Sequence, residues 1–146
     1  MSLINWRKNG WLLPHTPDRT EIDGLLAIAR RDLKDSRTRG LSNDWKFNIA
    51  YNAGLQSAFA ALYACGFTTP KGESHHFRVI ASLEHSIGLS SSDVSLFESF
   101  RKKRNMGIYD VAGVATAQDA QQMIDFASEL FDQVVEFLQQ EHHDLI

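Results

Sequence analysis

An all-α fold, an antiparallel up-and-down bundle of four to five helices, is the class this sequence predicts. Three observations point there. Apolar residues recur at helical spacing in five separate segments. Short stretches rich in Gly, Pro and Ser separate those segments, as turns between neighbouring helices require. No segment alternates apolar and polar residues in the way a half-buried strand would. At 146 residues the chain has the size of one domain and can bury a core without disulfides or metal. The expected organisation is an irregular N-terminal arm over 1–17, a single helical domain over 18–141 and a short tail over 142–146.

The arm holds Trp6, Trp11, Leu12 and Leu13 between polar residues and prolines, so its aromatics are expected to pack onto the bundle. A first helix is predicted over 18–37, with Pro17 suited to a first turn where its missing N–H has no helical partner. Ile22, Leu25, Leu26, Ala29 and Leu33 make its stripe, and Gly40 ends the segment. A second helix follows from Ser42 or Asn43, either able to cap it, to Cys65. Its apolar residues, among them Trp45, Phe47, Tyr51, Leu55 and Phe59, point nearly all round, which predicts a central helix. Ala50, Ala53, Gly54, Ala58 and Ala61 would let neighbours come close.

After a loop with Pro70, a third helix is predicted over 74–87 with Val79, Ile80, Leu83 and Ile87 as its stripe and His76 at the edge. Gly88 stops it, and Ser90, Ser91 and Ser92 offer caps for a fourth helix reaching about Asn105. The last helix opens with Thr116 and Asp119, a capping box with Asp in place of Glu. Ala120, Met123, Ile124, Ala127, Leu130, Phe131, Val134 and Leu138 form one clean stripe on it.

A net charge of −3 excludes nucleic-acid binding by bulk charge, so any polyanion site must be a local basic patch. The single cysteine, Cys65, excludes an internal disulfide and a cysteine-rich zinc site, and is expected as a buried, inert thiol. No run is apolar for long enough to cross a bilayer, and residues 1–14 lack a continuous hydrophobic stretch. A cytoplasmic location without membrane association is the resulting expectation.

The fourth helix carries the chemistry. At about 100° per residue, Phe97, Phe100 and Ile108 share one sector, Arg101 and Arg104 share that side, and Lys102 and Lys103 point away. Desolvating an arginine costs several kcal/mol, roughly, unless something negative meets it. Inward guanidinium groups therefore imply carboxylates, a subunit interface or a cleft that admits an anion. Alternatively, the stems lie on the core while the heads snorkel to water.

The stretch Arg104-Asn105-Met106-Gly107-Ile108-Tyr109 resembles the signature of the HEPN superfamily, helical domains in which an Arg, a polar residue and, a few positions later, a His end the penultimate long helix. Ala50-Tyr51-Asn52-Ala53 is similar to that family's second helix, and the resemblance covers roughly 18–138. It implies a HEPN-like bundle, a homodimer whose motifs meet in a cleft, and RNA or nucleotide as ligand. It also implies a place in toxin–antitoxin systems or beside a nucleotidyltransferase-type partner. Members with Arg and His resemble metal-independent ribonucleases, whereas this chain has Tyr109 where they have His. An unperturbed tyrosine, with a pKa of about 10 against about 6.5 for histidine, is ionised to only about one part in a thousand at neutral pH. It makes a weak general base. The expectation is therefore a binding module without cleavage, in which Arg101 and Arg104 hold the anion, Asn105 orients them, and Tyr109 and Asp110 complete the site.

Two alternatives accompany it. One is an active ribonuclease using Tyr109 or a partner's histidine at position 85. The other is a purely structural homodimer in which Arg101, Arg104 and Asp110 form a clasp. Tyr109 also reads as a core aromatic whose hydroxyl caps a backbone group. Gly107 can end the helix and so bring Tyr109 round toward Arg104.

No cofactor or metal is expected. Glu73 and His76 have the spacing of half a di-iron site, but no second pair exists. His75 and His76 are expected to face solvent or staple a first turn, and His85 to be exposed. The Glu141-His142-His143-Asp144 end is expected to be a flexible terminus that suits the negative end of a helix.

Overall fold

The helices start where a side chain replaces the carbonyl partners missing from a first turn. In the computed structural model, which describes residues 2–72, 75–109 and 112–146 but not the side chains of 107–109, α1 spans Leu3–Lys8 behind the cap Ser2. Asp18 caps α2 (Arg19–Asp35) through the Thr20 N–H, and Ser42 caps α3 (Asn43–Ala64) through that of Trp45. α4 spans His75–Ser86. The Ser90 hydroxyl accepts from the Asp93 N–H at 3.1 Å in front of α5 (Ser91–Tyr109). Thr116 and Asp119 form a complete capping box on α6 (Ala117–Glu141). Pro17 lies one residue ahead of the Asp18 cap, not inside the first turn, because Asp18 supplies the acceptor that proline cannot.

The result is an all-α bundle with α3 at its centre, touching α2, α4, α5 and α6. Thirteen residues of α3 are buried, on every side of the helix. α2 runs antiparallel to it, pairing Asp32 with Asn52. α5 does too, setting Phe100 on Phe47 and Phe97 on Tyr51. α6 approaches α3 most closely and runs the same way, with Asn43 and Lys46 beside Ala117 and Gln121, and Gly54 further along beside Ala127. Small residues make this approach possible. A Cβ added at Gly54 would lie 3.2 Å from Phe97 Cζ and 3.7 Å from Ala127 Cβ. Each large side chain that is fully buried here, such as Phe47, Phe97, Met123 or Leu130, contributes about 1.5–3 kcal/mol of transfer free energy.

Four expectations at the periphery change. The arm over 1–17 is not irregular throughout. It forms α1, which buries Leu3 and Trp6, and a two-residue strand β1 (Leu13–Pro14), paired antiparallel with β2 (Phe67–Thr68). Ser2 makes a one-and-a-half-turn helix viable here, and docking of Trp6 and Leu12 holds it. His85 is half-buried, not exposed, because the Trp6 ring stands edge-on to it at 5.1 Å. The tail turns back as a 3-10 segment (His143–Leu145) that buries Leu145, with His142 edge-on to Phe137 at 5.2 Å. Trp45, read as part of the all-round apolar surface of α3, is instead 60% exposed. No helix among the described residues is long and apolar enough to cross a membrane.

Candidate anion site around Arg104

α5 remains helical through Gly107 to Tyr109 and so extends past the predicted end at Asn105. The break at Gly107 that would have brought Tyr109 round does not occur. The side chain of Tyr109 and all of Asp110 lie outside the described residues, as does Glu73. The remaining candidates, Arg101, Arg104 and Asn105, all lie on the described part of α5.

Arg101 and Arg104 point to the protein side of the helix, as their spacing predicts, and they meet different surroundings. Arg101 Nε donates to Glu98 Oε2 at 2.8 Å, and Nη2 pairs with the other carboxylate oxygen of the same residue. That hydrogen bond, aided by the Glu98 charge, raises the guanidinium's pKa further above its ordinary value. Arg101 is thus largely answered within its own helix. Arg104 is not. Its guanidinium lies 5.3 Å from the centroid of the Tyr51 ring, within cation–π range. Its Nε is buried without a hydrogen-bond partner, and its best contact is a long one, Nη1 to Asn105 Oδ1 at 3.4 Å. Among the described residues no carboxylate pairs with it.

The lysines divide as well. Lys102 is exposed, as predicted. Lys103 instead reaches across to α6 and pairs with Asp119 at 3.0 Å. The Thr116 backbone N–H first, and Lys103 second, hold the Asp119 carboxyl below its usual range.

Two residues complete the cluster that the sequence reading had not assigned to it. Tyr51, 1% exposed, forms the floor, and its ring stands edge-on to Phe97 at 5.7 Å. Burial pushes its hydroxyl pKa well up, outweighing the opposing pull of Arg104 and Arg101, so it stays protonated. A buried phenol needs a partner, and the Tyr51 hydroxyl finds His76 Nδ1 at 3.4 Å. His76 is therefore not turned to solvent. Its pKa is lowered by desolvation first, then by the positive charge of Arg104, His75 and Arg101. His75 is part-buried too, against Phe59, with Nδ1 hydrogen-bonded to the Thr69 hydroxyl. The available signal was the edge position of His76 on its helix together with a tyrosine on a helix buried all round.

Asn52, one of the residues in the stretch similar to the family's second helix, lies elsewhere. Its Nδ2 donates to Asp32 Oδ2 at 2.7 Å on α2, and its Oδ1 accepts from Gln56 at 3.1 Å. This group is an interhelical polar clasp remote from the arginines, in which Arg31 also pairs with Asp32 at 3.0 Å.

Beside the arginines, α4 and α5 leave a groove of about 400 Å³ lined by Phe77, Ile80, Val94, Glu98, Ser99 and Lys102. Glu98, which pairs with Arg101, also lines this groove. Burial pushes the Cys65 thiol up to about 11, which leaves it protonated and unreactive at neutral pH. Among the described residues no three of His, Cys, Asp and Glu gather as metal ligands would. Among the described residues, one guanidinium has no acid beside it, a second stands close by, and a tyrosine-anchored histidine shares their field. The chain matches no family model and no curated protein sequence.

Proposed function

We propose that this protein is a helical binding module that takes phosphate groups of RNA or a nucleotide at the side-chain cluster around Arg104, and that it does not cleave them. The observation that carries the reading is the buried Arg104 Nε–H with no partner. Leaving such a donor unpaired costs about 1–3 kcal/mol, more when the group is charged. A phosphate oxygen relieves that cost and uses the guanidinium's paired donors. Arg101 adds positive field beside it, and Asn105 steers the head group. The HEPN-like resemblance of the Arg104-Asn105 segment favours the same ligand class. It further suggests a homodimer and a partner of nucleotidyltransferase or toxin–antitoxin type.

The test is binding of a short oligoribonucleotide, read by fluorescence anisotropy, to wild type and to Arg104→Ala. The expected outcome is measurable affinity in wild type and a loss of tenfold or more in the variant, as about 1.4 kcal/mol of lost contact gives. Equal affinity, or none in either protein, removes the reading. Incubation with the same RNA without metal is expected to leave it intact.

One specific observation favours a second reading, a purely structural role. The Arg104–Tyr51 contact ties α5 to α3. Under that reading Arg104→Ala lowers thermal stability heavily and leaves RNA affinity unchanged. Under the binding reading the pattern reverses.

A further inference from the structure

We infer that His76 is a third ligand of the anion site, taking up a proton when a phosphodiester seats on Arg104. The inference rests on the binding reading above and adds to it a titratable partner on a different helix.

The geometry is built from three elements. Tyr51 on α3 anchors the imidazole through its hydroxyl, 3.4 Å from His76 Nδ1. Because the phenol remains protonated, it can donate to Nδ1, and the neutral ring then carries its own proton on Nε2. From α5, Arg104 and Arg101 place positive charge around the ring, while Glu98 is engaged by Arg101. From α4 itself, His75 stands 5.7 Å away, centroid to centroid, and adds to the positive side of the balance. Desolvation by burial is the largest influence on the ring, and these charges act with it to favour the neutral imidazole.

An anion on Arg104 reverses two of these influences. It cancels the guanidinium charge that His76 feels, and it supplies a negative partner for an imidazolium within the same half-buried cleft. The charged form then becomes the favoured one, and the ring takes a proton from solvent as the ligand binds. One N–H bond forms, at Nδ1, with its proton taken from solvent, and the Tyr51 hydroxyl there turns from donor to acceptor. Linkage fixes the sign. A complex that binds one more proton than its separated components tightens as pH falls, by at most about tenfold per pH unit.

The probe is the dinucleotide UpU, whose phosphodiester and bases do not titrate between about pH 5.5 and about pH 8, so any slope belongs to the protein. Affinity of wild type is expected to rise on acidification over that range. His76→Gln, which keeps a polar group for Tyr51, is expected to bind more weakly than wild type at the acid end and to lose the slope. His75→Gln is expected to retain it. In a parallel NMR titration, the His76 ring signal, assigned by its disappearance in His76→Gln, is expected to shift to a higher midpoint when UpU is present. A flat pH profile in wild type, or an undiminished slope in His76→Gln, overturns the inference, provided binding still depends on Arg104. Binding that ignores Arg104, or no binding at any pH, overturns the underlying reading and the inference together.

Discussion

α5 and α6 are neighbouring amphipathic helices, and they use their inward faces differently. α6 buries Ala120, Met123, Ile124, Ala127, Leu130, Val134 and Leu138, an unbroken apolar stripe behind a complete capping box. α5 buries Phe97 and Phe100, then continues the same side with Arg101 and Arg104. The first helix is explained by packing alone. The second carries a buried donor, Arg104 Nε–H, without a partner among the described residues, and an unpaired buried donor costs stability. Both helices thus contribute to the core, and only α5 adds arginines to its inward side.

The largest expected effect tests the shared core. Phe97, 0% exposed and wedged among Tyr51, Phe126 and Gly54, should cost about 3–5 kcal/mol when cut to Ala, against about 2–5 kcal/mol for Met123→Ala on α6. Urea unfolding measures both. A small loss at Phe97 would mean that α5 is not part of the cooperative core, and the comparison would break there. Next comes the cap: Thr116→Ala removes the acceptor for the Asp119 N–H and should cost about 1 kcal/mol. If the thermal midpoint does not move, α6 does not need its box.

A smaller change, opposite in sign, sharpens the contrast. Arg104→Met keeps the apolar stem and removes the unpaired Nε–H, so stability should stay within about 1 kcal/mol of wild type or rise, while RNA affinity is lost. A loss of several kcal/mol would assign Arg104 to the scaffold. The smallest effect is the pH dependence of stability. Desolvation, then Arg104, lowers the folded-state pKa of His76 below its usual value. The unfolded chain therefore binds more protons between the folded and unfolded pKa values, and stability, full above the usual histidine range, declines as pH falls through that window. His75, lowered mainly by desolvation, acts in the same direction. Thermal midpoints of wild type and His76→Gln across this range should show a shallower acid decline in the variant. Parallel curves would mean that His76 titrates as an unfolded histidine does.

α6 was legible from sequence almost residue by residue, because a long stripe and a capping box are both local signals. α3 was legible as the central helix, and its alanines and Gly54 as a close-packing face. At the arginine site, the inward direction of Arg101 and Arg104 could be read from helical spacing, whereas their different fates could not. Glu98 lies within reach of Arg101 on the same helix, a local pairing that goes uncounted when only the arginines' sector is considered. The membership of Tyr51 and His76 was hidden for another reason. Their meeting depends on how α3 and α4 cross, and their sequence separation carries no period that predicts it. Similarly, α1 and the turn His143–Leu145 are held by Trp6 and Leu145 docking on distant helices, which local propensity does not record.

The sequence by itself determined the five main helical segments, the apolar face of most of them and the inward side of Arg101 and Arg104, since each follows from periodicity, caps and composition within a single segment. Only the tertiary structure decided which of those cations has an acid beside it and which histidine shares its field. Charge pairing and desolvation depend on distances between elements, and those distances exist only once the helices are packed.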